Sequence, residues 1–126
     1  MYQTITTNIM VLSVEETIQF YEEKLGFERI LTVPEEGEHF VFAIMKKDNV
    51  SIMLQEKQSL IEEYKTLETN HIKPMFTLFI TVDNVEKLYE ELKDNVEIAK
   101  ELHQTFYGKP EFAIFDNNQN ILTISC

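Results

Sequence analysis

The chain has no tryptophan, three glycines, three prolines and a single cysteine, Cys126, among its 126 residues. One thiol cannot close a disulfide within the chain and suits a reducing compartment, so the cytoplasm is the expected location. No run of about 18 apolar residues occurs, which excludes a membrane-spanning helix on sequence grounds. The first residues lack the basic-then-apolar pattern of an export signal. No glycine-rich loop capable of cradling phosphates is present. Positive charge is also scarce: 11 Lys and Arg stand against 22 Asp and Glu, a net charge of -11. A field of that sign repels nucleic-acid backbones and anionic lipid surfaces, so neither is an expected partner, whereas cationic small molecules are drawn in. Acidic pairs such as Glu22-Glu23 and Glu90-Glu91 also read as a solvated face that keeps the chain soluble.

What the chain does contain is a repeat. Residues 6–15 (TTNIMVLSVE) return at an offset of 71 as residues 77–86 (TLFITVDNVE), with Thr, Ile, Val, Val and Glu in register. Each copy is an alternating apolar stretch running into a cap residue and then a helical pattern. The length is that of one domain, divided into a first module over residues 1–55, a connecting helix and linker over 56–74, and a second module over 75–126. One strand-and-helix unit cannot cover its own sheet, so the modules are expected to pair, within a chain or across a dimer.

The first strand is predicted over residues 4–12, with Ile5, Ile9 and Val11 on one face. Ser13 with Glu16 forms an S-x-x-E helix start, Val14, Ile18, Tyr21 and Leu25 form the buried stripe beside Thr17 and Phe20, and Gly26 closes the helix. Strands are expected over residues 27–33, 39–46 and 50–55, separated by turn-like segments at 34–38 and 47–49. A connecting helix between residues 56 and 69 has a second S-x-x-E start at Ser59, with Leu60, Ile61, Tyr64 and Leu67 as its apolar side. The second module repeats the order: a strand over 75–82, a helix capped by Asp83 or Asn84 with Val85, Leu88, Tyr89 and Leu92 inward, then strands near 96–101, 111–115 and 120–125. The predicted fold class is therefore α+β, two tandem βαβββ modules forming a cleft between curved mixed sheets.

Alternate strand positions carry the functional expectation. One face is apolar throughout, including Val50, Ile52, Leu54, Phe76, Leu78, Ile80, Val82, Leu122 and Ile124, as needed beneath a helix. The other carries Thr4, Thr6, Asn8 and Met10; Ser51, Met53 and Gln55; Thr77, Phe79 and Thr81; and Ile121, Thr123 and Ser125. Hydroxyls, amides, methionines and an aromatic fit a pocket in which mostly apolar walls hold a few orienting polar groups. A threonine-rich outer sheet face gives the same pattern, but here both repeats show it.

Residues 11–27, V-L-S-V-E-E-T-I-Q-F-Y followed by L-G-F, match a V-x-D-x-x-x-S/T-x-x-FY-x-x-x-LGF signature with Ser13 in place of Asp. Residues 107–112 (YGKPEF) and 115–122 (FDNNQNIL) resemble a YG-x-x-EF and DPDGN-x-L ending. On these motifs the chain resembles the vicinal oxygen chelate superfamily, which includes glyoxalase I, extradiol dioxygenases, fosfomycin-resistance enzymes and bleomycin-resistance proteins. The resemblance implies a homodimer. It also implies four metal-ligand positions in metal-dependent members, which correspond here to Thr6, Met53, Thr77 and Thr123. Hydroxyls and a thioether are poor ligands for the hard or borderline ions of such sites. No metal or other cofactor is therefore expected, and glyoxalase, dioxygenase and fosfomycin-transferase activities are not expected either.

The expected function is metal-free binding and sequestration of a small molecule of cationic or aromatic character. The expected lining is Thr6, Asn8, Met10, Met53, Gln55, Thr77, Phe79, Thr81 and Thr123, with Phe106, Tyr107 and either Phe40 or Phe42 stacking on a planar ligand. His39, His71 and His103 are scattered and read as surface or hydrogen-bonding residues. The alternatives are a metal-independent lyase or isomerase using Glu111 or a histidine as base, with Glu111 the best remaining acid, and an interaction module whose cleft is vestigial.

Overall fold

The computed structural model describes residues 1–126 and divides into two units, Met1–Ile72 and Lys73–Cys126. In the first unit the order is β1 (Asn8–Val11), α1 (Val14–Leu25), β2 (Glu28–Val33), β3 (Phe42–Lys47), β4 (Val50–Glu56) and α2 (Lys57–Glu63), followed by a 3-10 turn at Lys65–Leu67. The second contains β5 (Thr77–Thr81), α3 (Val85–Leu92), β6 (Glu97–Gln104), β7 (Pro110–Phe115) and β8 (Ile121–Ser125). The sheets run β1-β4-β3-β2 and β5-β8-β7-β6, with one parallel pair in each, β1 with β4 and β5 with β8. Both modules are βαβββ and the fold is α+β.

The repeat survives as a correspondence of caps. Ser13 accepts a hydrogen bond from the Glu16 N–H at 3.2 Å, and Asn84, 71 residues later, accepts one from the Lys87 N–H at 3.0 Å. Each side chain satisfies a free donor at a helix start. Asn84, not Asp83, is thus the second cap. The next residue in each case, Val14 or Val85, is fully buried. Gly26 closes α1 in the left-handed region at φ 73°, where its neighbour Phe27 donates to the Tyr21 carbonyl at 2.9 Å.

In the first unit, Val14, Thr17, Ile18 and Tyr21 of α1 are buried, as are Ile9, Val11, Ala43, Met45, Ile52 and Leu54 on the strands. The alternation of the strands places that second set on one sheet face. Tyr21 meets Phe20 and Phe27 edge to face. The second unit buries Phe112, Ile114, Leu122 and Ile124 with Val85 and Leu92 of α3, and Tyr89 packs edge-on to Phe112.

Several expected boundaries shift. β1 begins at Asn8, so Thr6 precedes it and Ile5, expected in the core, is almost wholly exposed. Strand β3 starts at Phe42 instead of 39, because residues 39–40 are bound by side chains of other elements (below). The connecting helix starts before Ser59 and ends at Glu63; Ser59 is no cap, since its hydroxyl bonds Gln55, and Tyr64 and Leu67 are exposed. Phe76 lies outside β5 and is exposed, and β6 extends to Gln104, past the expected end at 101.

Candidate functional site

The face of the first sheet opposite its buried set is built by register. Parallel pairing sets Asn8 beside Met53 and Met10 beside Gln55, and antiparallel pairing adds Ile44 opposite Met53 and Phe42 opposite Gln55. Strand β2 contributes Leu31 opposite Ile44 and Val33 opposite Phe42. Met10, Phe42, Ile44 and Met53 are half-buried, while Leu31 and Val33 are each 45% exposed. The result is a largely apolar surface that runs from half-buried to exposed, with α2 meeting it at Gln55. Phe42 is the phenylalanine that register assigns to it; Phe40 is buried in the loop before β3.

Polar groups enter this face at one end. Asn8 donates through Nδ2 to Gln55 Oε1 at 2.8 Å. The Gln55 Nε2 in turn donates to Ser59 Oγ at 3.0 Å and to Glu63 Oε1 at 3.2 Å, both on α2. Gln55 is buried, and every polar atom of its amide has a partner.

A second polar cluster fixes the loop between β2 and β3. His39 lies between two carboxylates, with Nδ1 3.1 Å from Glu15 and Nε2 3.1 Å from Glu56. Glu15 uses its other oxygen to accept the Phe40 N–H at 2.9 Å. The hydrogen bond to Glu15 and that residue's charge raise the His39 pKa above the ordinary imidazole value, with Glu56 adding to the effect. Burial tends to raise Glu15, but the Phe40 and Glu15 N–H groups and His39 outweigh it and hold the carboxyl below its usual value. The two ring nitrogens point in different directions, so this cluster does not converge on one ion.

On the second sheet, the face opposite the buried set carries Thr77, Phe79 and Thr81 on β5, Ile121, Thr123 and Ser125 on β8, and Glu111, Ala113 and Phe115 on β7. Phe79 is 59% exposed and pairs with Thr123. Glu111 accepts a hydrogen bond from the Tyr107 hydroxyl, which raises the tyrosine pKa, and its register partner on β6 is His103. Phe106, fully exposed, meets Tyr107 edge to face at 5.0 Å. His71 is exposed in the linker.

Of the four positions that the resemblance sets against metal ligands, Thr6 lies just before β1, Met53 on β4, Thr77 on β5 and Thr123 on β8. Nowhere in the chain do three or more His, Cys, Asp or Glu side chains gather in a metal-binding arrangement. Hydroxyls and a thioether are a donor set that does not fit the divalent ion of metal-dependent relatives.

The turn joining β7 to β8 is organised by Asp116, which is buried. Its Oδ1 accepts the N–H groups of Asn118 at 2.8 Å and Asn120 at 2.9 Å, and its Oδ2 accepts the Asn120 side-chain amide at 3.0 Å. This is the Asp-x-x-x-Asn framework noted in the sequence, with Gln119 at φ 67°. A model of the Glyoxalase/Bleomycin resistance protein/Dioxygenase superfamily matches residues 4–124, nearly the whole chain and both motif ends. The chain belongs to this superfamily.

Solved structures share the fold at low identity. TioX from Micromonospora sp. ML1 is 11% identical, with a TM-score of 0.76 over 98% of this chain and 98% of that one. A glyoxalase/bleomycin resistance protein/dioxygenase family enzyme from Burkholderia phytofirmans PsJN is 20% identical, with a TM-score of 0.72 over 95% and 94%. The bleomycin-binding protein of Streptomyces verticillus, solved with copper(II)-bleomycin, is 16% identical, with a TM-score of 0.67 over 100% and 98%. No curated protein sequence matches the chain. No helix is long and apolar enough to cross a membrane.

Sequence reasoning missed Leu31, Val33 and Ile44 on the first face and the Ser59–Gln55–Glu63 connection. The signal for Ile44 was present: a two-residue turn at Asp48-Asn49 pairs Lys47 with Val50, and counting back sets Ile44 against Met53. The helix start two residues before Ser59 had no such signal, since Glu56 makes no side-chain cap bond.

Proposed function

We propose that this chain binds a small, largely apolar molecule on the sheet faces opposite its buried cores, without a metal ion, and acts by sequestration. The observation that carries the reading is the first-unit face, where Met10, Phe42, Ile44 and Met53 lie beside an oriented Asn8–Gln55 amide pair. Apolar walls with few polar groups are the composition of ligand sites. Methionine adapts to irregular shapes and phenylalanine offers a flat contact. In the second unit, Thr77, Phe79, Thr81 and Thr123 are the corresponding ligand-facing residues, and Phe106 and Tyr107 add aromatic contact.

A net charge of -11 favours a cationic or neutral ligand. The working form is a homodimer in the cytoplasm. Native mass spectrometry of freshly purified protein tests the reading: a retained small molecule, lost in Met53→Ala and Phe42→Ala, supports it. A bare chain that no compound of a broad aromatic set stabilises against melting contradicts it and favours an interaction module.

A second reading draws on Tyr107, Glu111 and His103. A carboxylate that bonds a tyrosine and faces a histidine across a strand pair is equipped to move a proton, as in a metal-independent lyase or isomerase. Turnover of a carbonyl or thiol-adduct substrate set, abolished by Glu111→Gln, would establish this activity instead of sequestration.

A further inference from the structure

The amide chain on the first sheet has a direction, and that direction is set by a charged residue at its far end. A carboxylate accepts hydrogen bonds and does not donate them, so Glu63, 3.2 Å from the Gln55 amide, must face its NH2 group. The Ser59 hydroxyl can donate or accept, so it agrees with either orientation and decides nothing. With the Gln55 nitrogen held on the α2 side, its Oε1 faces Asn8, and Asn8 must present its own NH2 to that oxygen at 2.8 Å. Asn8 is exposed, and its Oδ1 has no protein partner. The nitrogen of Asn8 is therefore turned inward and its carbonyl oxygen outward, beside Met53 and two residues before Met10.

We infer that Asn8 is a specificity residue that selects ligands carrying an N–H or O–H donor, with Glu63 acting as a positioning residue through Gln55. This deepens the binding reading above and rests on it. The ligand class follows: a flat apolar body over Met10, Phe42 and Met53, with a hydrogen-bond donor on its edge directed at Asn8 Oδ1. Leaving the carbonyl unmatched against an apolar ligand forfeits its hydrogen bond to water, which is the source of the discrimination.

Indole and benzofuran test this directly, because they share shape and differ in an N–H against a ring oxygen. Their affinities for the full chain are measured by ligand-detected NMR titration. Indole is expected to bind about 5-fold more tightly, the net effect of one neutral hydrogen bond. The preference should vanish in Asn8→Leu. In Glu63→Gln the relay can reverse, because glutamine can donate as well as accept, so the preference should fall while benzofuran affinity stays within about 2-fold. Melting curves of both variants establish that they fold.

Equal binding of the two probes by the native chain, or an unchanged preference in Glu63→Gln, overturns the directional inference and leaves the binding face standing. Failure of both probes to bind overturns the inference together with the reading it rests on.

Discussion

Glu15 reaches from the first turn of α1 to His39 in the β2–β3 loop, its Oε2 3.1 Å from the ring Nδ1. With Glu56 at the other nitrogen, the ring is best satisfied as an imidazolium, which donates from both sides. The stability it contributes therefore depends on pH. His39 has a raised pKa, so its contribution is complete below the ordinary imidazole value of 6.5 and is lost as pH rises through the raised value. Glu15 has a lowered pKa, so its contribution is complete above 4.5 and is lost as pH falls through the lowered value. The stability difference between the native chain and His39→Gln, measured by urea denaturation, should be largest between 4.5 and 6.5 and shrink as pH rises from 6.5 through the raised value. A difference that grows with alkaline pH would contradict the assignment.

The Asp116 turn gives a second expectation. Asp116→Ala removes the acceptor for two backbone N–H groups and one side-chain amide near a buried position, and should cost about 2–3 kcal/mol in denaturant melts. Gln119 holds a left-handed backbone that favours glycine. The strain relieved in Gln119→Gly slightly exceeds the added chain entropy, so a gain of about 0.5 kcal/mol is expected.

The two caps should behave alike. Ser13→Ala and Asn84→Ala each remove the acceptor for one free helix N–H and should each cost about 1 kcal/mol. A negligible effect at either position, read by chemical denaturation, would contradict the equivalence of the repeats.

The parts of the fold that were legible in the sequence were those encoded locally. Ser13, Gly26 and the Val14–Ile18–Tyr21 stripe announce α1 through cap chemistry and helical spacing, and the 71-residue offset announces its counterpart. Alternation placed Ile9, Val11, Ile52, Leu54, Leu122 and Ile124 correctly in the cores. Ile5 was misplaced because alternation continues into residues that lack a strand partner, and pairing is a non-local property. The binding of His39 by Glu15 and Glu56 was invisible for the same reason: 24 residues separate His39 from Glu15, and only the folded loop joins them. At the candidate site, the positions of Met10, Met53 and Gln55 were readable from parity, but the direction of the amide chain needed α2 in place.

Charge should be felt by ligands. A cationic aromatic compound should bind several-fold more tightly than a matched anionic one at low salt, and the gap should narrow at high salt as the field of the acidic chain is screened. Calorimetric titration at two ionic strengths reads this. Preference for the anion at both salt levels would remove the electrostatic component.

The binding face itself is tested most directly by the methyl signals of the five methionines. Met10 and Met53 lie on the proposed face, Met45 is buried in the core of the same unit, and Met1 and Met75 are exposed outside the strands. With methyl-labelled methionine, a bound planar aromatic compound should shift Met10 and Met53 saturably and together, leave Met45 nearly unmoved, and leave Met1 and Met75 unchanged. Saturable binding that leaves Met10 and Met53 in place, or that shifts only Met1 and Met75, would show that the first-unit face does not hold the ligand.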